Sequence, residues 1–111
     1  MPVYNVDSKD EFDKIILESK IPVFIKFFAS WCGPCQFATP IVKELSLKYG
    51  DKIKFVQIDV DSSSCRDIVY NYSVSSIPTF VILKNGGEFS RLNGFMDKER
   101  LEDFIKSSIV V

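Results

Sequence analysis

Apolar and polar positions alternate between two periods along the 111-residue chain. Residues 3–6 have the short apolar run of a strand. Ser8 and Glu11 then stand at capping-box spacing, and Phe12, Ile15 and Ile16 give a helical stripe. Pro22 ends that region. Residues 23–28, Val-Phe-Ile-Lys-Phe-Phe, are β-branched and aromatic except for Lys26, the signature of a strand covered on both faces. A second helical stripe follows in Phe37, Ala38, Ile41, Val42, Leu45 and Tyr49. Pro40 predicts a kink in it and Gly50 its end.

Residues 53–60 read as another buried strand. The run Ser62-Ser63-Ser64 caps a short helix reaching about Tyr72. Residues 78–83 and 88–92 are two strands joined by an Asn85-Gly86-Gly87 hairpin turn. Asp97 caps a final helix carrying Leu101, Phe104, Ile105 and Ile109. The order is β-α-β-α-β-α-β-β-α. Alternation predicts parallel crossovers, and the terminal hairpin adds antiparallel pairing. The expectation is an α/β fold: one domain over residues 1–111, a central mixed sheet of about five strands, and four helices on its two faces.

Composition supports a packed core. The chain is 46% apolar and 14% aromatic, with ten Phe. A formal charge of -1 lacks the basic excess of a nucleic-acid binder. No apolar run approaches the roughly 20 residues that span a bilayer, and the first residues do not resemble a signal peptide. A cytoplasmic, soluble monomer is the expectation.

Three Cys and no His narrow the chemistry. An odd count forbids a complete internal disulfide framework. The absence of His removes Cys-His and Ser-His-Asp catalysis. What remains is Cys32-Gly33-Pro34-Cys35, placed where a buried strand gives way to a helix. Backbone N–H groups and the helix dipole favour negative charge there, so Cys32 becomes the thiolate nucleophile. Cys35 lies one turn later and can attack a mixed disulfide on Cys32. Gly33 lets a partner's backbone approach, and Pro34 stiffens the turn. The alternatives are a structural pair or half a zinc site. Zinc requires four ligands, and Cys65 alone remains to supply one. No metal is expected.

Trp31-Cys32-Gly33-Pro34-Cys35 resembles the active-site run of thioredoxins. The resemblance extends to Phe27-Phe28-Ala29, Pro40, Ile58-Asp59-Val60-Asp61, Ile77-Pro78-Thr79-Phe80, Lys84-Asn85-Gly86 and Gly94. It implies the thioredoxin fold and two-electron reduction of protein disulfides. It implies no bound cofactor, with NADPH acting indirectly through thioredoxin reductase, and disulfide-containing proteins as clients. It also implies a cis Ile77–Pro78 bond beside the thiols and a substrate groove of Trp31, Ile77, Pro78 and Gly94. Without the resemblance, Pro78 would read as an ordinary strand-start proline, Trp31 as core filling and Gly94 as a bend.

Two positions depart from the family. Lys26 stands where thioredoxins often carry a buried Asp, and Gln57 where a Lys is frequent. Lys26 either tunes the Cys35 thiol from below or carries its amine to the surface along an apolar stem. Gln57 cannot titrate. Cys65 reads as a free thiol without a catalytic role, or, if exposed, as a site of regulatory oxidation or bridging. Asp59 and Asp61 read as caps of the next turn. Two other functions fit the same motif: a docking module switched by redox state, and an oxidase or isomerase.

Overall fold

The computed structural model describes residues 3–109. Five strands form one sheet in the order β1-β3-β2-β4-β5. They are β1 Val3–Asn5, β2 Val23–Phe28, β3 Lys54–Asp59, β4 Thr79–Lys84 and β5 Gly87–Asn93. β3 pairs in parallel with β1 and β2, whereas β4 runs antiparallel to β2 and β5. The four helices are α1 Lys9–Glu18, α2 Gly33–Tyr49, α3 Arg66–Asn71 and α4 Lys98–Ile109, with a 3-10 turn at Ser63–Cys65 leading into α3. Order, strand directions and helix number agree with the sequence expectation.

Local signals explain where the elements begin. The Glu11 N–H donates to Ser8 Oγ at 3.1 Å, and Glu11 Oε1 accepts from the Asp7 N–H at 3.1 Å. The first bond satisfies an N–H left open at the helix start, and the second ties the Glu11 carboxylate to the residue before the N-cap. The Arg100 N–H donates to Asp97 Oδ1 at 2.9 Å, capping α4 in the same way. Between β4 and β5, Asn85 and Gly86 take φ values of 54° and 81°, as a tight hairpin turn with two left-handed residues requires.

Alternation along β2 divides the core in two. Phe24 faces α2 and α4, where it packs with Ala38, Val42, Leu45, Phe80, Leu101 and Ile105. Ile25 and Phe27 face α1 and α3, with Phe12, Val56, Ile58 and Ile68. Phe24 is fully buried, its ring centre 5.0 Å from Phe55, 5.8 Å from Phe80 and 6.2 Å from Phe104. Full burial of such a side chain stabilises the fold by about 1.5–3 kcal/mol. The central strand is therefore anchored on both faces, and its C-terminal end is a rigid platform for whatever follows Phe28.

One expectation for α2 needs correction. Phe37 has the helical spacing of the stripe but is 72% exposed. The stripe runs through Cys35, Ala38, Val42, Leu45 and Tyr49, and position 37 lies about 100° from 38 around a 3.6-residue turn. Gly50 ends the helix as expected, with right-handed backbone angles. Its φ is -63°. A Cβ there would come within 2.5 Å of the Ser46 carbonyl oxygen, so the requirement is space. Pro40 lies inside α2, which continues unbroken for 17 residues.

Candidate active site

The chain leaves β2 at Phe28 and enters α2 at Gly33, so Cys32 falls at the N-cap of α2. Cys32 and Cys35 are joined as a disulfide, with their Cα atoms 5.2 Å apart. The Cys35 N–H donates to Cys32 Sγ at 3.2 Å. That donor, with the positive end of α2 behind it, favours a thiolate on Cys32 once the bond is opened. Cys32 is 5% exposed and Cys35 1%. Both are enclosed, and Cys32 is the more open of the two. Pro34 occupies the first turn of α2, where no N–H is missed. A Cβ on Gly33 would meet nothing within 4 Å, so this position leaves an open approach.

Residues distant in sequence converge on the pair. Ala29, Phe28, Val60 and Ile77 pack around the two sulfurs. The Ile77–Pro78 peptide is cis. Trp31 is 70% exposed, and its Nε1–H donates to Asp61 Oδ2 at 2.7 Å. A shallow cavity of about 300 Å³ opens between Trp31, Val60, Val69, Val74 and Ile77. Gly94 adopts φ 91° and donates its N–H to the Pro78 carbonyl at 2.7 Å. Pro78 itself is buried. Of the four groove residues expected from the sequence, Trp31 and Ile77 line the cavity, while Pro78 and Gly94, hydrogen-bonded to each other, are not among its lining residues.

Lys26 does not carry its amine into water. It is 2% exposed, because β3 and β4 flank it at Gln57 and Phe80 and α2 lies over it. Its Nζ donates to Thr39 Oγ1 at 2.9 Å, and the Thr39 hydroxyl donates to the Cys35 carbonyl at 3.2 Å. Nζ also stands 5.5 Å from the centre of the Phe28 ring. Burial lowers the Lys26 pKa from 10.5 to about 8. Gln57 takes a different direction: its amide donates to Asn5 Oδ1 at 3.2 Å, toward the open edge of the sheet.

Cys65 is fully buried, and its Sγ–H donates to the Val6 carbonyl at 3.4 Å. Burial pushes its thiol pKa up. It packs in the core beneath α3 and not at the redox centre. The exposed, oxidisable alternative for Cys65 is thereby excluded. Asp59 Oδ1 caps the turn by accepting the Asp61 N–H at 2.9 Å, whereas the Asp61 carboxylate tethers the indole of Trp31 instead. Thr39 carried no signal in the sequence, because its partner is reached only across the packing of α2 on β2. Among the described residues, no three His, Cys, Asp or Glu side chains gather to hold a metal ion.

Comparison with known proteins agrees with this geometry. The thioredoxin family model matches residues 3–107. The chain is 40% identical over 100 residues to the chloroplastic thioredoxin Y of Oryza sativa, covering 90% of this chain and 58% of that protein. The solved thioredoxin NaTrxh of Nicotiana alata superposes with a TM-score of 0.88 at 31% identity, covering 98% of this chain and 94% of that one. A yeast chain superposes at 0.84 and 32% identity, covering 95% and 94%. It was solved in work on thiol resolution in mitochondrial 1-Cys peroxiredoxin via the glutathione and thioredoxin systems. A dithiol at a strand-to-helix junction, a neighbouring cis-proline and a match over nearly the whole length lead to one conclusion: this chain belongs to the thioredoxin family of thiol–disulfide oxidoreductases.

Proposed function

We propose that the protein works as a reductase of protein disulfides. Cys32 attacks a client disulfide as thiolate, joining one client sulfur and releasing the other. Cys35 then attacks Cys32 Sγ, closing the internal disulfide and releasing the second client sulfur. The client gains two electrons and the dithiol loses two. The observation that carries this reading is the Cys35 N–H at 3.2 Å from the Cys32 sulfur at the N-cap of α2. It favours charge on the more open sulfur and leaves the more enclosed one to resolve.

Trp31 and Ile77, backed by the linked Pro78 and Gly94, form the wall against which an extended client segment lies. Reduction back to the dithiol is assigned to a thioredoxin reductase drawing on NADPH, with no cofactor held by this chain. Peroxiredoxin-type disulfides are a reasonable client class, given the system in which the yeast chain was studied. The protein acts as a monomer, in the cytoplasm, where a dithiol centre and a free buried Cys65 suit a reducing environment.

The test is NADPH consumption with a thioredoxin reductase and insulin as disulfide substrate. Turnover is expected for the wild type. Cys35→Ser is expected to lose turnover and accumulate a Cys32-linked mixed disulfide. Absence of turnover in the wild type alongside an active control thioredoxin would overturn the proposal.

A further inference from the structure

Among the buried polar side chains of the described residues, Lys26 is the ionisable one, and the exchange chemistry leaves it without a task. A buried amine with no carboxylate partner is costly, so its position calls for an explanation. Two links tie it to the redox pair. Through Thr39 it reaches the Cys35 carbonyl, at 2.9 and 3.2 Å. Through the Phe28 ring, 5.5 Å from Nζ, it adjoins the apolar packing around both sulfurs. Its partner on α2 is Thr39, its cross-strand neighbours are Gln57 on β3 and Phe80 on β4, and its amine stands over the Phe28 ring. None carries a charge. The ammonium field is therefore not cancelled by an adjacent carboxylate.

We propose that Lys26 is a positioning residue for the resolving step, a cation behind α2 that favours the Cys35 thiolate when the mixed disulfide must be opened. The inference rests on the reading that Cys35 resolves. In that step the Cys35 thiol gives its proton to solvent. Its sulfur then bonds to Cys32 Sγ, and the Cys32–client bond breaks with the client leaving as thiolate. Lys26 neither takes nor gives a proton; it lowers the energy of the anion that attacks. Its effect therefore falls on the second step and not on capture by Cys32. At neutral pH the amine is charged, since burial lowers its pKa only to about 8.

The test uses the fully reduced protein and 5,5′-dithiobis(2-nitrobenzoate), with thionitrobenzoate release followed by stopped flow from pH 5 to 10. Capture by Cys32 releases one equivalent at a rate proportional to reagent. Attack by Cys35 releases the second at a rate independent of it. In Lys26→Met the second phase is expected to titrate about one pH unit higher, which is about tenfold slower near pH 7. The first phase should be unchanged. Thr39→Val should shift the second phase in the same direction by less. Superimposable second-phase profiles, or a downward shift, overturn the proposal. Cys35→Ser controls for the underlying reading: it should lose the reagent-independent phase, and persistence of that phase would mean that Cys35 does not resolve.

Discussion

Replacing Lys26 with Met should stabilise the oxidised protein, and by an amount that depends on pH. The buried amine has a pKa of about 8 in the fold against 10.5 when free. The difference is about 2.5 units, or roughly 3 kcal/mol at 1.36 kcal/mol per unit. The sign follows from proton uptake. Between pH 8 and 10.5 the unfolded chain holds a proton on Lys26 that the folded chain has released. Wild-type stability from this group therefore rises with pH across that window. Below pH 8 both states are charged and the whole penalty is present. Met removes it while filling a similar volume between the sheet and α2, and the Thr39 bond to the Cys35 carbonyl does not depend on the amine. Urea unfolding at pH 7 should place Lys26→Met above the wild type by about 3 kcal/mol. The gap should close progressively from pH 8 to 10.5. Keeping the disulfide intact removes thiol titration at Cys32 and Cys35, and the wild-type-minus-variant difference cancels the distant tyrosines. A gap that stays constant with pH, or a Met variant less stable at pH 7, would refute the reasoning, since either result describes an amine already solvated in the fold.

Three further outcomes follow from the packing. Phe24→Ala, at the meeting point of Phe55, Phe80 and Phe104, should cost about 3–5 kcal/mol in denaturant unfolding; a loss below 1 kcal/mol would mean the site collapses freely. Cys65 should not react with a thiol reagent in the native oxidised protein, because it is fully buried, and should yield one thiol on unfolding. Glu102 accepts from Lys48 Nζ and Tyr49 OH, each at 2.6 Å, and these bonds hold its carboxyl down to about 2 from 4.5. Its stabilising effect is present above pH 4.5 and lost as pH falls toward 2, so acid unfolding of Glu102→Gln should be less steep over that range than that of the wild type.

Much of the redox centre is legible in the order of the residues. Local rules suffice for it: a buried strand ending at Phe28, a helix opening at Gly33, and two cysteines one turn apart. Each depends on neighbours within a few positions, so periodicity and capping carry them, as do the Ser8 and Asp97 caps and the Asn85-Gly86 turn. The groove is less legible, since Ile77 meets the sulfurs across dozens of residues and only the likeness to thioredoxins pointed there. Other features exist solely through tertiary packing. Phe37 faces water because the sheet covers a different arc of α2. Gly50 is required by a carbonyl one turn away and not by its own φ. Asp61 holds the indole of Trp31 because β3 ends beside the active-site loop. For Lys26, the sequence establishes that a charge interrupts the central strand. Only the fold decides that this charge is enclosed, what it touches and how far its pKa moves, because burial depends on what α2, β3 and β4 bring against it.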